Sequence, residues 1–308
     1  MTEKRSCLTE AIAEAELGRA AALIRAGQLV AFPTETVYGL GANALDPAAI
    51  EKIYLAKGRP PGSPLIVHVN SIEMARGLVR EWPEKADRLV RVFWPGPLTL
   101  VLLKQPHVPD RLTSGLDTVA VRMPANPIAL ALIQEAGVPI AAPSANPFGS
   151  LSPTTAQHVR DSIGDRVAMV LDGGRTNVGI ESTVLSLAGA DPVLLRPGMV
   201  TREQIEEVIG PVHVLQPNAE SAHPSPGMHR RHYSPKTPLV LVQRGQLPAN
   251  GRGIRLQMPA DPRDYAAVLY ERLHQADSEG WDWIAVEQPP DDPAWAAIRD
   301  RLERASAR

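Results

Sequence analysis

The apolar positions of this chain change period as they run. From Thr9 to Ala26, Ile12, Leu17, Leu23 and Ile24 mark one helical face, with Thr9 placed to cap it and Gly27 to end it. Gln28 to Phe32 is a short apolar run stopped by Pro33, which predicts a buried strand. Asp46 to Lys57 predicts a helix: Asp46 caps, Pro47 fills the first turn and Gly58 follows the last. Strands are then predicted over Leu65 to Val69, Leu98 to Leu103 and Thr118 to Arg122. Helices are predicted to open at Ser71, after Pro83, at Asn126-Pro127 (closed by Gly137) and at Ser152-Pro153. Val167 to Leu171, Thr183 to Leu187 and Val193 to Leu195 predict short strands, and Thr201 with Gln204 forms a capping-box pair.

Strands alternating with helices predict an α/β domain. The later strands follow one another without helices between them, so part of the sheet is expected to be antiparallel. Gln216 to Thr237 breaks the pattern: it is polar, rich in Pro and Ser, and without a period. The chain therefore divides into a first domain over 1–211, a linker over 212–237 and a small C-terminal α/β domain over 238–308. The last unit reads as strand, helix, strand and helix, ending near Arg304. It is small for an independent domain and is expected to lean on the first domain or on another subunit.

The composition narrows the function classes. A chain of 308 residues with 44% hydrophobic and 21% charged positions holds enough apolar material for a sizeable core. A formal net charge of -2 gives no bulk attraction for nucleic acid, although a basic groove on one face stays open. Aromatic residues at 4% argue against an extended stacking platform for single strands. One cysteine, Cys7, rules out an internal disulfide and a cysteine zinc site. No apolar run reaches membrane-helix length and the N-terminus lacks a signal-peptide core, so a cytoplasmic protein with no membrane partner is expected.

Several motifs fail. Gly39-x-Gly41-x-x-Ala44 fits a dinucleotide fingerprint loosely, but the following helix starts later, at Asp46-Pro47, and no acidic residue stands where one is needed. Walker A and Gly-x-Ser-x-Gly sequences are absent. His229 and His232 are separated by Arg230 and Arg231, and two cations disfavour a metal there.

Other segments carry chemistry. Pro33 to Gly41 follows a strand at its carboxyl end and reads either as a turn with two glycines or as a hydroxyl-lined wall for a small polar ligand. Lys57-Gly58-Arg59 ends a helix, where cations either complement the dipole or hold phosphate oxygens. Ser144-Ala145-Asn146 follows an apolar strand and reads either as turn chemistry or as donors to phosphate or ribose. Arg122, closing a strand, has the fork that fits a carboxylate.

The ordered set PTETVYGLGANA, KGRPPGSPLIVHV, WPGPLTLVL, GLDTVAVRMPANP, PIAAPSANPFGSLSPT, GIESTVL, LRPG and SPGMHRRHYSP resembles the YrdC-type threonylcarbamoyl-AMP synthases in their two-domain form. It spans roughly Gly27 to Pro235 in order. The resemblance implies a twisted mixed parallel and antiparallel sheet with an electropositive groove. It implies synthesis of threonylcarbamoyl-AMP from L-threonine, bicarbonate or CO2 and ATP, with pyrophosphate released and Mg2+ accompanying the ATP. The product would feed separate threonylcarbamoyl transferase proteins that modify tRNA, with direct tRNA binding left open. The resemblance also implies L-threonine contacts at Thr34, His68, Arg122, Ala142 and Ser182. ATP contacts follow at Lys57, Arg59, Ser63, Thr118, Ser144, Asn146, Ser152, Arg196 and Tyr233, with Lys57 and Arg59 as the catalytic cations. Since Tyr233 lies in the linker, that segment is expected to fold over the site. Two other readings use the same groove: an RNA-binding module without catalysis, and a carbamoyl-transfer domain of the hydrogenase-maturation type.

Overall fold

The structure, a computed structural model, describes residues 14–215 and 232–307. Cys7, the expected cap Thr9, His229 and most of the predicted linker lie outside the described residues.

The first sheet has ten strands: β1 Val30–Phe32, β2 Gly39–Asn43, β3 Ile66–His68, β4 Leu98–Leu103, β5 Thr118–Arg122, β6 Ile140–Ala141, β7 Met169–Val170, β8 Thr183–Ser186, β9 Val193–Arg196 and β10 His213–Val214. Their order is β10-β9-β8-β4-β5-β3-β6-β2-β1-β7. The sheet is mixed: β3–β5 and β4–β8 pair parallel, while β4–β5, β2–β6 and β8–β9 pair antiparallel. Gly39 and Gly41, expected in a turn, lie in β2. A Cβ at Gly41 would sit 2.8 Å from the Phe32 ring, so the strand is bare because Phe32 crosses it.

Helices cover the two faces unequally. On one, α1 Glu14–Arg25 and α6 Pro127–Ala136 pack on β1, β2 and β6. On the other lies the main core, built on α2 Pro47–Lys57, α3 Ile72–Leu78, α4 Glu84–Phe93, the short α5 Asp110–Thr113, α7 Ala156–Ile163 and α8 Arg202–Ile209. The helix expected at Ser152-Pro153 starts at Ala156 instead, because Thr155 caps it by accepting from His158 N. Asp46 caps α2 and Gly58 ends it in the left-handed region, which turns the chain between Lys57 and Arg59.

The second unit contains β11 Leu239–Val242, β12 Gly253–Arg255, α9 Pro262–Ser278, β13 Trp283–Glu287 and α10 Ala296–Ser306. Its three parallel strands run in the order β11-β13-β12. Strand β12 was missing from the sequence pattern. The unit does lean on the first: Val37, Leu151 and Ile180 share one apolar cluster with Tyr265, Leu269, Tyr270 and Ile298.

Candidate active site

Between the helices, part of the first sheet carries only a small apolar patch, made by Ile66, Val101, Ala120 and Val184. Side chains two residues apart on a strand share a face. Two steps from these four residues stand His68, Thr99, Arg122 and Ser182, all buried polar groups. The registers Ile66↔Ala120 and His68↔Arg122 put the first pairs side by side. This uncovered face floors a small cavity of about 50 Å³.

Arg122 is fixed from several sides. Its Nε donates to Gly96 O (3.2 Å) and its Nη1 to Thr36 Oγ1 (3.0 Å). Its Nη2 lies 2.7 Å from Glu35 Oε1, close enough for an ion pair, yet the two are misaligned for a hydrogen bond. A buried pair of this kind is held by charge and keeps hydrogen-bonding capacity for something else. The Thr34 and Thr36 hydroxyls lie 2.8 Å apart, and Thr34 donates to Val37 O. His68 is pushed down to about 3 by burial and then by Arg122, so its ring is neutral at ordinary pH. Ala142 closes this end.

The other end is cationic. Arg59 lines the cavity, donates to Ser63 O and Pro64 O, and lies 5.7 Å from the Phe148 ring centre. Burial lowers it to about 10, which leaves it charged. Arg196 donates to Ser182 O (2.9 Å) and Ser182 Oγ (3.2 Å). Ser182 Oγ is also 2.8 Å from Thr99 Oγ1, so Arg196, Ser182 and Thr99 form one hydrogen-bonded chain. Tyr233, with a φ of 60°, roofs the cavity beside His232.

Of the residues expected in the site, Thr34, Arg59, His68, Arg122, Ala142, Ser144, Ser182, Arg196 and Tyr233 line this one cavity. Lys57, Ser63, Thr118, Asn146 and Ser152 are not in its lining. Lys57 Nζ donates to Ser144 O and Asn146 O, both at 2.5 Å, and so braces the Ser-x-Asn loop from behind. Burial and then Arg59 push its ammonium well down. Asn146 Nδ2 donates to Pro147 O and Ser150 O, which holds the same loop. Ser152 Oγ donates to Glu181 Oε1 (2.5 Å).

Glu181 was not singled out from sequence, yet it lines the cavity. Burial alone would raise its carboxyl; Arg301, Arg196 and the Ser152 hydrogen bond outweigh this and hold it low. Thr36, also in the lining, belongs to the hydroxyl-bearing stretch Pro33 to Gly41 but was not expected as a contact in its own right. Strand parity would have found Thr99, which shares a face with Val101 in the apolar run of β4.

Known proteins carry the same two units. Residues 22–198 match the Sua5/YciO/YrdC family, described as telomere recombination, and residues 200–307 match the threonylcarbamoyl-AMP synthase C-terminal domain. Threonylcarbamoyl-AMP synthase of Bacillus subtilis is 45% identical, over 94% of this chain and 93% of that protein. The Pyrococcus abyssi enzyme of the same name is 51% identical over 76% of this chain and 70% of its own length. The crystal structure of P. abyssi Sua5 complexed with L-threonine superposes with a TM-score of 0.90 at 41% identity, covering 96% of this chain and 95% of that one. Matched in both units, in order and across nearly its whole length, the chain belongs to the two-domain Sua5 family of threonylcarbamoyl-AMP synthases.

Proposed function

We propose that the protein makes L-threonylcarbamoyladenylate from L-threonine, bicarbonate or CO2 and ATP, releasing pyrophosphate. The observation that carries this reading is the two-ended cavity, with Arg122 and hydroxyl groups at one end and Arg59 and Arg196 at the other. Its relatives bear the name of this activity, and a relative was crystallised with L-threonine. Apart from half-buried Ser144, the residues that line the cavity are buried, which favours a small molecule over a strand of RNA.

Arg122 takes the threonine carboxylate, since its position is fixed while Nη2 keeps a hydrogen bond to give. Neutral His68 and the Thr34 and Ser182 hydroxyls orient the rest of the amino acid. The threonine amine loses a proton and joins bicarbonate to give the carbamate and water. A carbamate oxygen attacks the α-phosphorus, and the bond to the pyrophosphate oxygen breaks. Such a step needs alignment and neutralisation of spreading charge, not a protein nucleophile. Arg59 and Arg196 supply that charge, and Lys57 fixes the Ser144–Asn146 loop. Magnesium enters with the ATP phosphates, as part of the substrate. Tyr233 excludes water from an anhydride that water would cleave. The product passes to separate cytoplasmic transferase proteins that modify tRNA.

Incubation with ATP, Mg2+, L-threonine and 13C-bicarbonate tests this. The product is expected to carry one 13C and to contain both threonine and AMP on mass spectrometry. An adenylate without the label would show direct activation of the amino acid and would reject the carbamoyl step.

A further inference from the structure

The last helix of the second unit reaches the cavity from behind. Arg301, on α10, is fully buried. Its Nε donates to Glu181 Oε2 (2.7 Å), and its Nη1 donates to Asp300 Oδ2 (2.6 Å). Its guanidinium carbon lies 5.2 Å from the centre of the Tyr233 ring. Tyr270, on α9, donates to the same Glu181 oxygen (3.1 Å). One turn further along α10, Arg304 O accepts from His232 N (3.4 Å). Both Glu181 and Tyr233 face the cavity, whereas Arg301 is not among its lining residues. Thus one side chain of the second unit holds the carboxylate behind the cationic end and the ring that roofs it.

A buried carboxylate takes whichever cation offers it hydrogen bonds. Arg196 also acts on Glu181 electrostatically, while it donates to Ser182 at the cavity. We propose that Arg301 is a positioning residue for the nucleotide end of the active site. By occupying Glu181 it keeps that carboxylate from drawing Arg196 away, and by lying against Tyr233 it sets the roof. The second unit therefore completes the site rather than being merely attached to it. This rests on the reading of the cationic end as the ATP side.

The test uses the full chain with Arg301→Met, Arg301→Lys and the double variant Arg301→Met/Glu181→Gln. ATP is varied in pyrophosphate-release assays, and ATP binding is titrated by calorimetry without turnover. Arg301→Met is expected to raise the KM and Kd for ATP roughly tenfold, within the range for residues coupled in one network. The KM for L-threonine should move less. Neutralising Glu181 as well should recover much of the loss, since no unpaired buried carboxylate remains. A role in folding alone would lower the melting temperature and leave both ATP constants unchanged in the folded fraction, which would overturn the proposal. If Arg301→Met does not fold, Arg301→Lys decides. A rise of about threefold or more in the ATP constants supports the positioning role, and wild-type constants reject it. Wild-type protein that binds ATP but forms no product would instead count against the proposed reaction, leaving the calorimetric comparison intact.

Discussion

At the residue scale the site depends on a few side chains held in place by others. Arg122 is held by Gly96 O, Thr36 Oγ1 and the Glu35 charge, so its fork is preorganised. Arg122→Lys keeps the charge and loses the fork; the KM for L-threonine should rise at least about tenfold while the KM for ATP moves little. Steady-state kinetics with each substrate varied checks this, and an unchanged threonine KM would place the carboxylate elsewhere. A second residue gives the protein an acid-side weakness. His274 Nε2 lies 3.1 Å from Ser152 O, and its ring stacks on His158 at 4.0 Å. Burial, then His158, lowers it from 6.5 to about 4. Between those values the unfolded chain binds a proton that the native protein does not, so stability falls as pH drops from about 6.5 to about 4. His274→Gln should lose less of its urea midpoint between pH 7 and pH 5 than the wild type; equal losses would rule this out. Arg122 and Arg59 stood out in the sequence because one closes an apolar strand and the other follows a helix end, whereas Ser182 came only from the family resemblance. Glu181 was not legible there, since its partners Tyr270 and Arg301 lie 89 and 120 residues away.

At the element scale, local chemistry sets the frame that holds those residues. Helix α2 begins at the Asp46 cap, which accepts from Ala48 N (2.9 Å), and ends at Gly58 between Lys57 and Arg59. Asp46→Ala should cost about 1 kcal/mol of stability, read as a lower denaturation midpoint. Turnover at saturating substrate should stay near wild type, because the cap lies at the far end of the helix from Lys57. The capping signals at Asp46, Ser71, Asn126 and Thr201 were readable because each is a contact within three residues. Strand β2 was not, because its glycines carry no β signal and the ring that covers them, Phe32, comes from the neighbouring strand. Strand β12 was hidden for the same reason: Gly253 lies against the Trp283 ring of its partner strand.

At the scale of the whole molecule, two units share one interior. Gly179, with a φ of +80°, lies where a Cβ would be 2.3 Å from Ala266 O and 2.6 Å from Ala267 Cα of helix α9. Arg175 adds a hydrogen bond to Ala267 O and an ion pair with Glu271. Gly179→Ala should push α9 away, split the calorimetric transition and lower activity, since Glu181 lies two residues on. A single unchanged transition would show that the interface yields without cost. The linker's own pattern gave only a polar tether, and the cover over the site came from the family resemblance; Tyr233 lines the cavity, while residues 216–231 lie outside the described residues. The interface itself left no local signal, because it is made by residues that are neighbours only once both sheets have formed. The central claim is that one cavity unites an amino acid with a nucleotide through a carbamate. The direct measurement is pyrophosphate release from ATP and Mg2+ by the purified protein, with L-threonine and bicarbonate omitted in turn. Release should require both; equal release without L-threonine would contradict the account.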